Sequence, residues 1–275
     1  MFKFSRSYLG PVKAIIVDMA GTIIDYGSCA PAGVFKELFH NYGIEITYEQ
    51  SREPMGMQKR DHIHKILEMK AVSDKWKQKY GKIWTEDDVD SMYKDFIPMQ
   101  ISSLPRYNNM IKGVKESLEI AQSQGIKIGA TTGYNTEMTN IVADAIKNQG
   151  FGLDSVICAS DVPQGRPAPW MIFRTMQELN IFPSEAVVNF GDTIPDIESA
   201  LNAGVWSVGV AKTGNTIGLS ENDVSDLSKD DLTALLQKAY SLMYSAGAHY
   251  VIDGVYDCID AVNEISKRLS SGEKP

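Results

Sequence analysis

The feature that most constrains the fold is a series of short apolar runs that recur between helical segments. Each run has the length of a strand, and its nearly continuous apolar character is typical of a strand buried on both faces. Alternation of such strands with helices predicts right-handed crossover units, and therefore a parallel sheet with helices on both faces. The runs cover residues 12–17, 126–131, 155–159, 186–190 and 205–210, and we expect a last strand near Tyr250–Ile252.

Helical patterns with matching start and stop residues fill the intervals. Glycines such as Gly125 and Gly204 follow the ends of these patterns, and Pro167 and Pro169 precede one of them. Proline near the start and glycine past the end are the expected limits of a helix. We predict helices over residues 112–124, 136–149, 169–180, 195–203 and 230–247, the last after an acidic surface segment, 211–230, to which the sequence assigns no role.

One region breaks the alternation. About 80 residues after Asp25 contain no strand-like run and return to the sheet near Leu104–Pro105. We predict helices there over residues 31–42, 56–69, 73–80 and 86–103. The expected fold is α/β, a Rossmann-like core domain (1–25 and 105–275) with an all-α cap domain (26–104) inserted after the first strand.

Composition excludes several classes of protein. A chain of 275 residues that is 43% hydrophobic can bury a sizeable core, and its net charge of −8 without a basic block argues against a nucleic-acid binder. No apolar run approaches the ~18 residues of a membrane span, and we interpret residues 1–11 as a lead-in. Cys29, Cys158 and Cys258 fit neither a disulfide framework nor a zinc site. We therefore expect a cytoplasmic protein.

Polar side chains follow four of the predicted strands. They are Asp18, Thr132 with Gly133, Arg166, and Asp192 with Asp196. Because ligands of parallel sheets bind beyond the carboxyl ends of the strands, these groups are candidates for one site, and two carboxylates four residues apart suit a hard cation. Taken singly, each has a structural alternative: a helix cap, a turn or a surface arginine.

Together, these four segments resemble the motifs of the haloacid dehalogenase superfamily of phosphotransferases. The matching residues are Asp18–Thr22, Thr132, Arg166 and Gly191–Asp196, and the resemblance covers essentially the whole chain. It implies that Asp18 is a nucleophile and that Mg²⁺ is held by Asp18, the backbone carbonyl of Ala20 and Asp192. It also implies that Thr132 and Arg166 bind the phosphoryl group, with Asp196 orienting the metal's water shell or Arg166.

Ala20 is a departure from most phosphatases of that superfamily, which carry an acid/base aspartate there. The segments DMAGTIIDYGSCAP (18–31), PMGMQKRDH (54–62), TTGY (131–134), GRPAPW (165–170) and GDTIPDI (191–197) are similar to the phosphonatase family within it. That resemblance implies hydrolysis of phosphonoacetaldehyde to acetaldehyde and phosphate, in 2-aminoethylphosphonate degradation. It also implies a Schiff base on Lys59, an aspartyl phosphate on Asp18 and a homodimer formed through the cap.

This chemistry explains the need for a lysine. An amine condenses with an aldehyde, and the resulting iminium accepts the electrons of a breaking phosphorus–carbon bond, so no acid is needed at Ala20. Lys59 must be neutral to attack, which requires a pKa below the ordinary value of ~10.4. The alternative is a solvated lysine on a helix face.

Neighbours of these residues complete the expected pocket. His62 shares a helix face with Lys59 and is either a proton shuttle or a packed cap histidine. We expect Met55 to pack on the substrate and Gly56 to allow close approach of the cap backbone, with Gly133 and Tyr134 also lining the pocket.

Two other functions stay open at this stage. Another Mg²⁺-dependent phosphatase or phosphomutase of the superfamily would favour an aspartate at position 20 and would not need Lys59. An inert binding protein on the same fold predicts the loss of Asp18 or Asp192, and both are present.

Overall fold

A computed structural model describes residues 7–275 and contains one six-stranded sheet. All neighbouring strands are parallel, and their order is β3-β2-β1-β4-β5-β6. The strands are β1 (Ala14–Val17), β2 (Lys127–Thr132), β3 (Ser155–Cys158), β4 (Val187–Gly191), β5 (Trp206–Val210) and β6 (Tyr250–Ile252). The predicted α/β class and parallel sheet are confirmed.

Twelve α-helices of the described part surround and extend this sheet. They are α1 (Cys29–Asn41), α2 (Tyr48–Arg52), α3 (Lys59–Glu68), α4 (Lys70–Tyr80), α5 (Glu86–Ser103), α6 (Val114–Ser123), α7 (Thr136–Asn148), α8 (Trp170–Leu179), α9 (Ile194–Ala203), α10 (Glu221–Asp226), α11 (Lys229–Ser245) and α12 (Cys258–Ser270). Capping side chains set several starts: Thr85 accepts a hydrogen bond from the backbone of Asp88, and Asn135 from that of Met138.

Side chains of β1 alternate between the two faces of the sheet, as strand geometry requires. Ile15 and Val17 belong to the larger apolar cluster, which includes residues of α6, α7 and α12. Ala14 and Ile16 belong to a second cluster with residues of α8 and α9. The sheet is therefore covered on both sides, and its free edge for a ligand is the one formed by the carboxyl ends of the strands.

Helices α1 to α5 form the all-α insertion between β1 and β2, as predicted. Phe35 of α1 and Phe96 of α5 stack with ring centroids 4.6 Å apart, and buried Ile63, Ile66 and Trp76 complete the interior. These side chains are part of the same apolar cluster as one face of the sheet. The domain limits at 25/26 and 104/105 stay a prediction.

The structure differs from the sequence prediction in a few boundaries. The helix predicted from residue 56 begins at Lys59, because Gly56 has a left-handed φ of 93° and Gln58 is extended. Short helices α2 and α10 and the final helix α12 were not predicted. The lead-in over residues 1–11 falls partly on residues 1–6, which lie outside the described residues. None of the described helices combines the length and the apolar character that a membrane crossing needs.

Candidate active site

The site lies where β1, β2 and β4 end, with β3 contributing through the loop that follows it. Asp18 directly follows β1, which lies between β2 and β4, and its backbone N–H donates to the carbonyl of Phe190. Thr132 is the last residue of β2, and Asp192 follows β4. The predicted strand-end residues are therefore brought together at one edge of the sheet.

Arg166 links two of the carboxylates. Its Nη1 lies 2.7 Å from Oδ1 of Asp18, and its Nε lies 2.9 Å from Oδ1 of Asp196. The remaining donor, Nη2, bonds Oγ1 of Thr131 at 2.7 Å. All of these side chains are buried, so these contacts hold the guanidinium in one orientation.

Asp18, Asp192 and Asp196 form a buried acidic cluster, with one oxygen of each within 4.8 Å of the others. Burial raises the pKa of Asp196 to about 7 and that of Asp192 well above its usual range, and the neighbouring carboxylates add to the second shift. Three buried carboxylates and one guanidinium, which contacts two of them, leave excess negative charge in a low-dielectric place. Carboxylate oxygens in that arrangement suit a hard divalent cation such as Mg²⁺, so the residues fit the metal that the sequence suggested.

Further hydrogen bonds fix the orientation of these carboxylates. Oδ1 of Asp192 accepts from Oγ1 of Thr22 at 3.1 Å, and Oδ2 accepts from the backbone N–H of Asn215 at 2.7 Å. Oδ2 of Asp196 accepts from the backbone N–H and the hydroxyl of Thr193. Asp196 is thus held at the start of α9 and turned to Arg166 by its other oxygen.

Thr132 is almost completely buried beside this cluster. Its hydroxyl oxygen accepts a hydrogen bond from the backbone N–H of Tyr134 at 3.2 Å. The hydroxyl proton therefore remains available as a donor to an anionic oxygen.

Lys59 enters from the cap as the first residue of α3. The side chain is only 6% exposed, and its Nζ lies 5.2 Å from the ring centroid of Tyr134 and 5.9 Å from that of Phe35. Burial lowers the pKa of Lys59 to about 8, and the charge of Asp18 opposes part of that shift. A substantial fraction of the amine is consequently neutral near physiological pH.

His62 shares the buried face of α3 with Lys59. Its Nε2 lies 2.9 Å from the carbonyl oxygen of Ser51, and its ring stacks on Phe35 at 3.8 Å. A carbonyl only accepts, so Nε2 carries the proton and Nδ1 is a buried acceptor without a partner in the described part. Burial, together with the charge of Lys59, holds the pKa of His62 well below its usual range, so the ring is neutral.

The cap backbone approaches the core closely at two glycines. A Cβ on Gly56 would lie 2.1 Å from Oγ1 of Thr193, and one on Gly133 would lie 2.5 Å from the carbonyl oxygen of Met57. Neither position has room for a larger residue. The expected role of Gly56 in close approach matches this geometry.

A small cavity joins these groups. Its free volume is about 20 Å³, which is room for about one water molecule. The lining comprises Asp18, Ala20, Ser28, Pro31, Met55, Gly56, Lys59, Thr132, Gly133, Tyr134, Arg166 and Thr193. Burial raises the pKa of Tyr134 well above its usual range, so its phenol is protonated.

Several contributing residues were missed by the sequence analysis. Thr22 and Thr131 lie within the sequence segments 18–31 and 131–134 that resemble the family. Their short spacing from Asp18 and Thr132 was the available indication that they contribute to the site. Phe35 reaches Lys59 from α1, and Asn215 reaches Asp192 from the segment to which no role was assigned. Nothing in the local sequence of these two residues indicates such contacts.

Comparison with known proteins gives consistent matches. The family described as haloacid dehalogenase-like hydrolase matches residues 15–210. A protein of Syntrophobacter fumaroxidans named phosphonoacetaldehyde hydrolase is 40% identical, with 100% of this chain and 99% of the relative covered. A second protein of that organism, named phosphonoacetaldehyde hydrolase-like protein, is 37% identical with the same coverage.

A solved structure is also similar over its full length. The crystal structure of a phosphonoacetaldehyde hydrolase-like protein from Oleispira antarctica superimposes with a TM-score of 0.98. The two chains are 39% identical, and 100% of each is covered.

Proposed function

This chain belongs to the haloacid dehalogenase-like hydrolase family, and we propose that it hydrolyses phosphonoacetaldehyde to acetaldehyde and phosphate. The observation that carries the proposal is the placement of Lys59. A buried amine with a lowered pKa lines the same cavity as the carboxylate of Asp18 and the guanidinium of Arg166. Hydrolysis of a phosphate ester does not require a neutral amine beside the guanidinium.

In the first step, the amine of Lys59 reacts with the aldehyde. Nζ attacks the carbonyl carbon, water leaves, and an iminium remains between Lys59 and the two-carbon chain. Desolvation by Phe35 and Tyr134 keeps part of the amine neutral for this attack. The iminium carbon is then bonded directly to the carbon that carries phosphorus.

The second step breaks the phosphorus–carbon bond. A carboxylate oxygen of Asp18 attacks phosphorus, and the bonding electrons move into the iminium to give an enamine on Lys59 and an aspartyl phosphate on Asp18. Arg166 and the hydroxyl of Thr132 hold the phosphoryl oxygens and stabilise their charge. The enamine takes up a proton at carbon, and water then hydrolyses the imine and the aspartyl phosphate.

Asp18, the backbone carbonyl of Ala20 and Asp192 would hold Mg²⁺, and Asp196 would orient its water shell or Arg166. When bound, the ion offsets the repulsion between the carboxylate of Asp18 and the anionic phosphonate. Support comes from the excess negative charge of the three buried carboxylates.

Ala20 favours this reaction over the alternatives. A phosphatase or phosphomutase of the same family would use an acid at position 20 to protonate a leaving oxygen. In the proposed reaction the leaving atom is carbon and the iminium accepts the electrons, so the methyl group of Ala20 is sufficient. His62 is our candidate proton shuttle: its Nδ1 carries no proton and can accept one, which fits the loss of protons from the amine during imine formation.

We also propose that the protein is cytoplasmic and that it forms a homodimer through the cap. Three free cysteines fit a reducing compartment. The cap exposes the large apolar side chains Tyr48, Tyr80 and Ile83, which a second copy would cover.

Product analysis tests the proposed reaction. The protein is incubated with Mg²⁺ and either phosphonoacetaldehyde, glucose 1-phosphate or p-nitrophenyl phosphate, and phosphate and acetaldehyde are measured. We expect equal amounts of both products from phosphonoacetaldehyde and little phosphate from the two esters. Rapid ester hydrolysis without acetaldehyde release would favour the phosphatase alternative.

A further inference from the structure

Arg52, the last residue of α2, reaches out of the cap and joins it to the core. Its Nη1 donates to the carbonyl of Gly27 at 2.7 Å and to Oδ1 of Asn215 at 2.9 Å. Its Nη2 donates to the carbonyl of Gly218 at 2.8 Å. One guanidinium thus binds the segment that connects β1 to the cap and the loop that follows β5.

Asn215 also donates hydrogen bonds, one to Arg52 and one to a carboxylate of the site. Its Nδ2 donates to the backbone carbonyl of Arg52 at 3.2 Å, the same carbonyl that accepts from the N–H of Met55. The backbone N–H of Asn215 donates to Oδ2 of Asp192. The contact between Arg52 and Asn215 therefore lies between the cap segment that leads to Lys59 and a carboxylate of the core.

The cavity at the active site is too small to take up substrate unless the cap moves. With space for about one water molecule and with Lys59 only 6% exposed, the closed form does not admit a phosphonate. The close approaches at Gly56 and Gly133 only limit the size of the residue at each position. The contacts of Arg52, by contrast, are charge-assisted hydrogen bonds, which are the stronger kind.

We propose that Arg52 and Asn215 form a latch that holds the cap closed over the site, and that Arg52 is a positioning residue for Lys59. The latch acts through residues 54–58, which connect Arg52 to Lys59. Opening would break the bonds to Asn215 and Gly218 together. The kinetic part of this proposal rests on the proposed function, whereas the conformational part does not.

Hydrogen–deuterium exchange of residues 55–59 tests the latch directly. Arg52→Gln removes the guanidinium. Asn215→Ala removes the side chain that Arg52 contacts, while the backbone N–H of residue 215 still donates to Asp192. Each variant is expected to speed exchange in this segment about tenfold, and the double variant no more than the stronger single one. Exchange in the cap helix α5 is expected to stay unchanged.

Arg60→Gln is the matched control, because Arg60 is a cap arginine bonded to Glu86 and Asp90 within the cap. Arg52→Lys restores a charge without the fork, so we expect exchange between wild type and Arg52→Gln. Exchange in residues 55–59 within twofold of wild type for both Arg52→Gln and Asn215→Ala would overturn the latch. Equal acceleration throughout the cap would do so as well.

Kinetics give an independent readout. Because substrate enters the open form and is retained when the cap closes over it, loss of the latch destabilises the closed complex, so KM for phosphonoacetaldehyde rises by up to about tenfold while kcat changes less. A fall in kcat alone would contradict a latch. If wild-type protein fails to cleave phosphonoacetaldehyde, the proposed function is wrong, and the exchange experiment still decides the latch.

Discussion

Nη1 of Arg166 lies 2.7 Å from Oδ1 of Asp18, and both groups are buried at the end of the central strands. The same guanidinium holds Asp196 through Nε and Thr131 through Nη2. Arg166 is therefore oriented by three partners before any substrate binds. In the proposed reaction, this arrangement would present a fixed cation to the incoming phosphonate beside Asp18, the proposed nucleophile.

The first prediction concerns the geometry of this cation. Arg166→Lys keeps the charge, but a single ammonium cannot bond Asp18, Asp196 and Thr131 together. We expect kcat/KM for phosphonoacetaldehyde to fall about 100-fold, and the fold to be retained by circular dichroism. Arg174→Lys is the control, because Arg174 is more than half exposed and pairs with Glu178 on the same helix. Wild-type activity in Arg166→Lys would show that charge alone suffices.

The second prediction separates the amine of Lys59 from its charge. Lys59→Arg retains a cation but cannot form an imine, so we expect phosphate release from phosphonoacetaldehyde to fall below detection. Lys65→Arg, on the exposed side of the same helix and paired with Glu68, should be as active as wild type. Phosphate release by Lys59→Arg near the wild-type rate would rule out the Schiff base.

The third prediction concerns pH. Burial lowers the pKa of Lys59 to about 8, so the neutral amine forms at lower pH than in free lysine, whose pKa is ~10.4. The rate of reductive alkylation by acetaldehyde and cyanoborohydride is measured for Lys59 and for the side-chain amine of Nα-acetyl-lysine at each pH. We expect the ratio of the two rates to be greatest near neutral pH and to fall as pH rises above 8. A ratio independent of pH would mean that Lys59 has an ordinary pKa.

Metal binding supplies the fourth prediction. Asp192→Asn keeps an oxygen for the backbone N–H of Asn215 and turns its amide N–H to the hydroxyl oxygen of Thr22, and it removes one of three crowded buried carboxylates. We expect Mg²⁺ affinity by calorimetry to fall about 100-fold or more, while the thermal midpoint without metal rises, because a buried charge is removed. Asp95→Asn on the cap, which is bonded to Tyr42, is the control. Unchanged Mg²⁺ affinity in Asp192→Asn would exclude it as a ligand.

The sequence predicted the framework of this site better than its interior. Strand runs ending in Asp18, Thr132 and Asp192 determined which residues meet, because parallel strands end at one edge. The desolvation of Lys59 was not predictable in the same way, since it depends on Phe35 and Tyr134, which reach it from distant parts of the chain.

The contacts made by loops were even less predictable from the sequence. The segment after β5 was expected to be a surface excursion without a role, yet Asn215 supports Asp192 and contacts Arg52. Its two contacts arise from a backbone N–H and a side-chain amide, which have no periodic pattern in sequence. Such contacts follow only from the folded arrangement of β4, β5 and the cap.

Chemical trapping of the imine tests the proposed role of Lys59 directly. The protein is incubated with acetaldehyde, reduced with borohydride and mapped by mass spectrometry, with Lys59→Arg treated in parallel. We expect an ethyl group on Lys59, a loss of activity in proportion to that modification, and no such loss from modification of Lys65. If other lysines are alkylated while Lys59 stays unmodified, the Schiff base on Lys59 is contradicted, whether or not activity is lost.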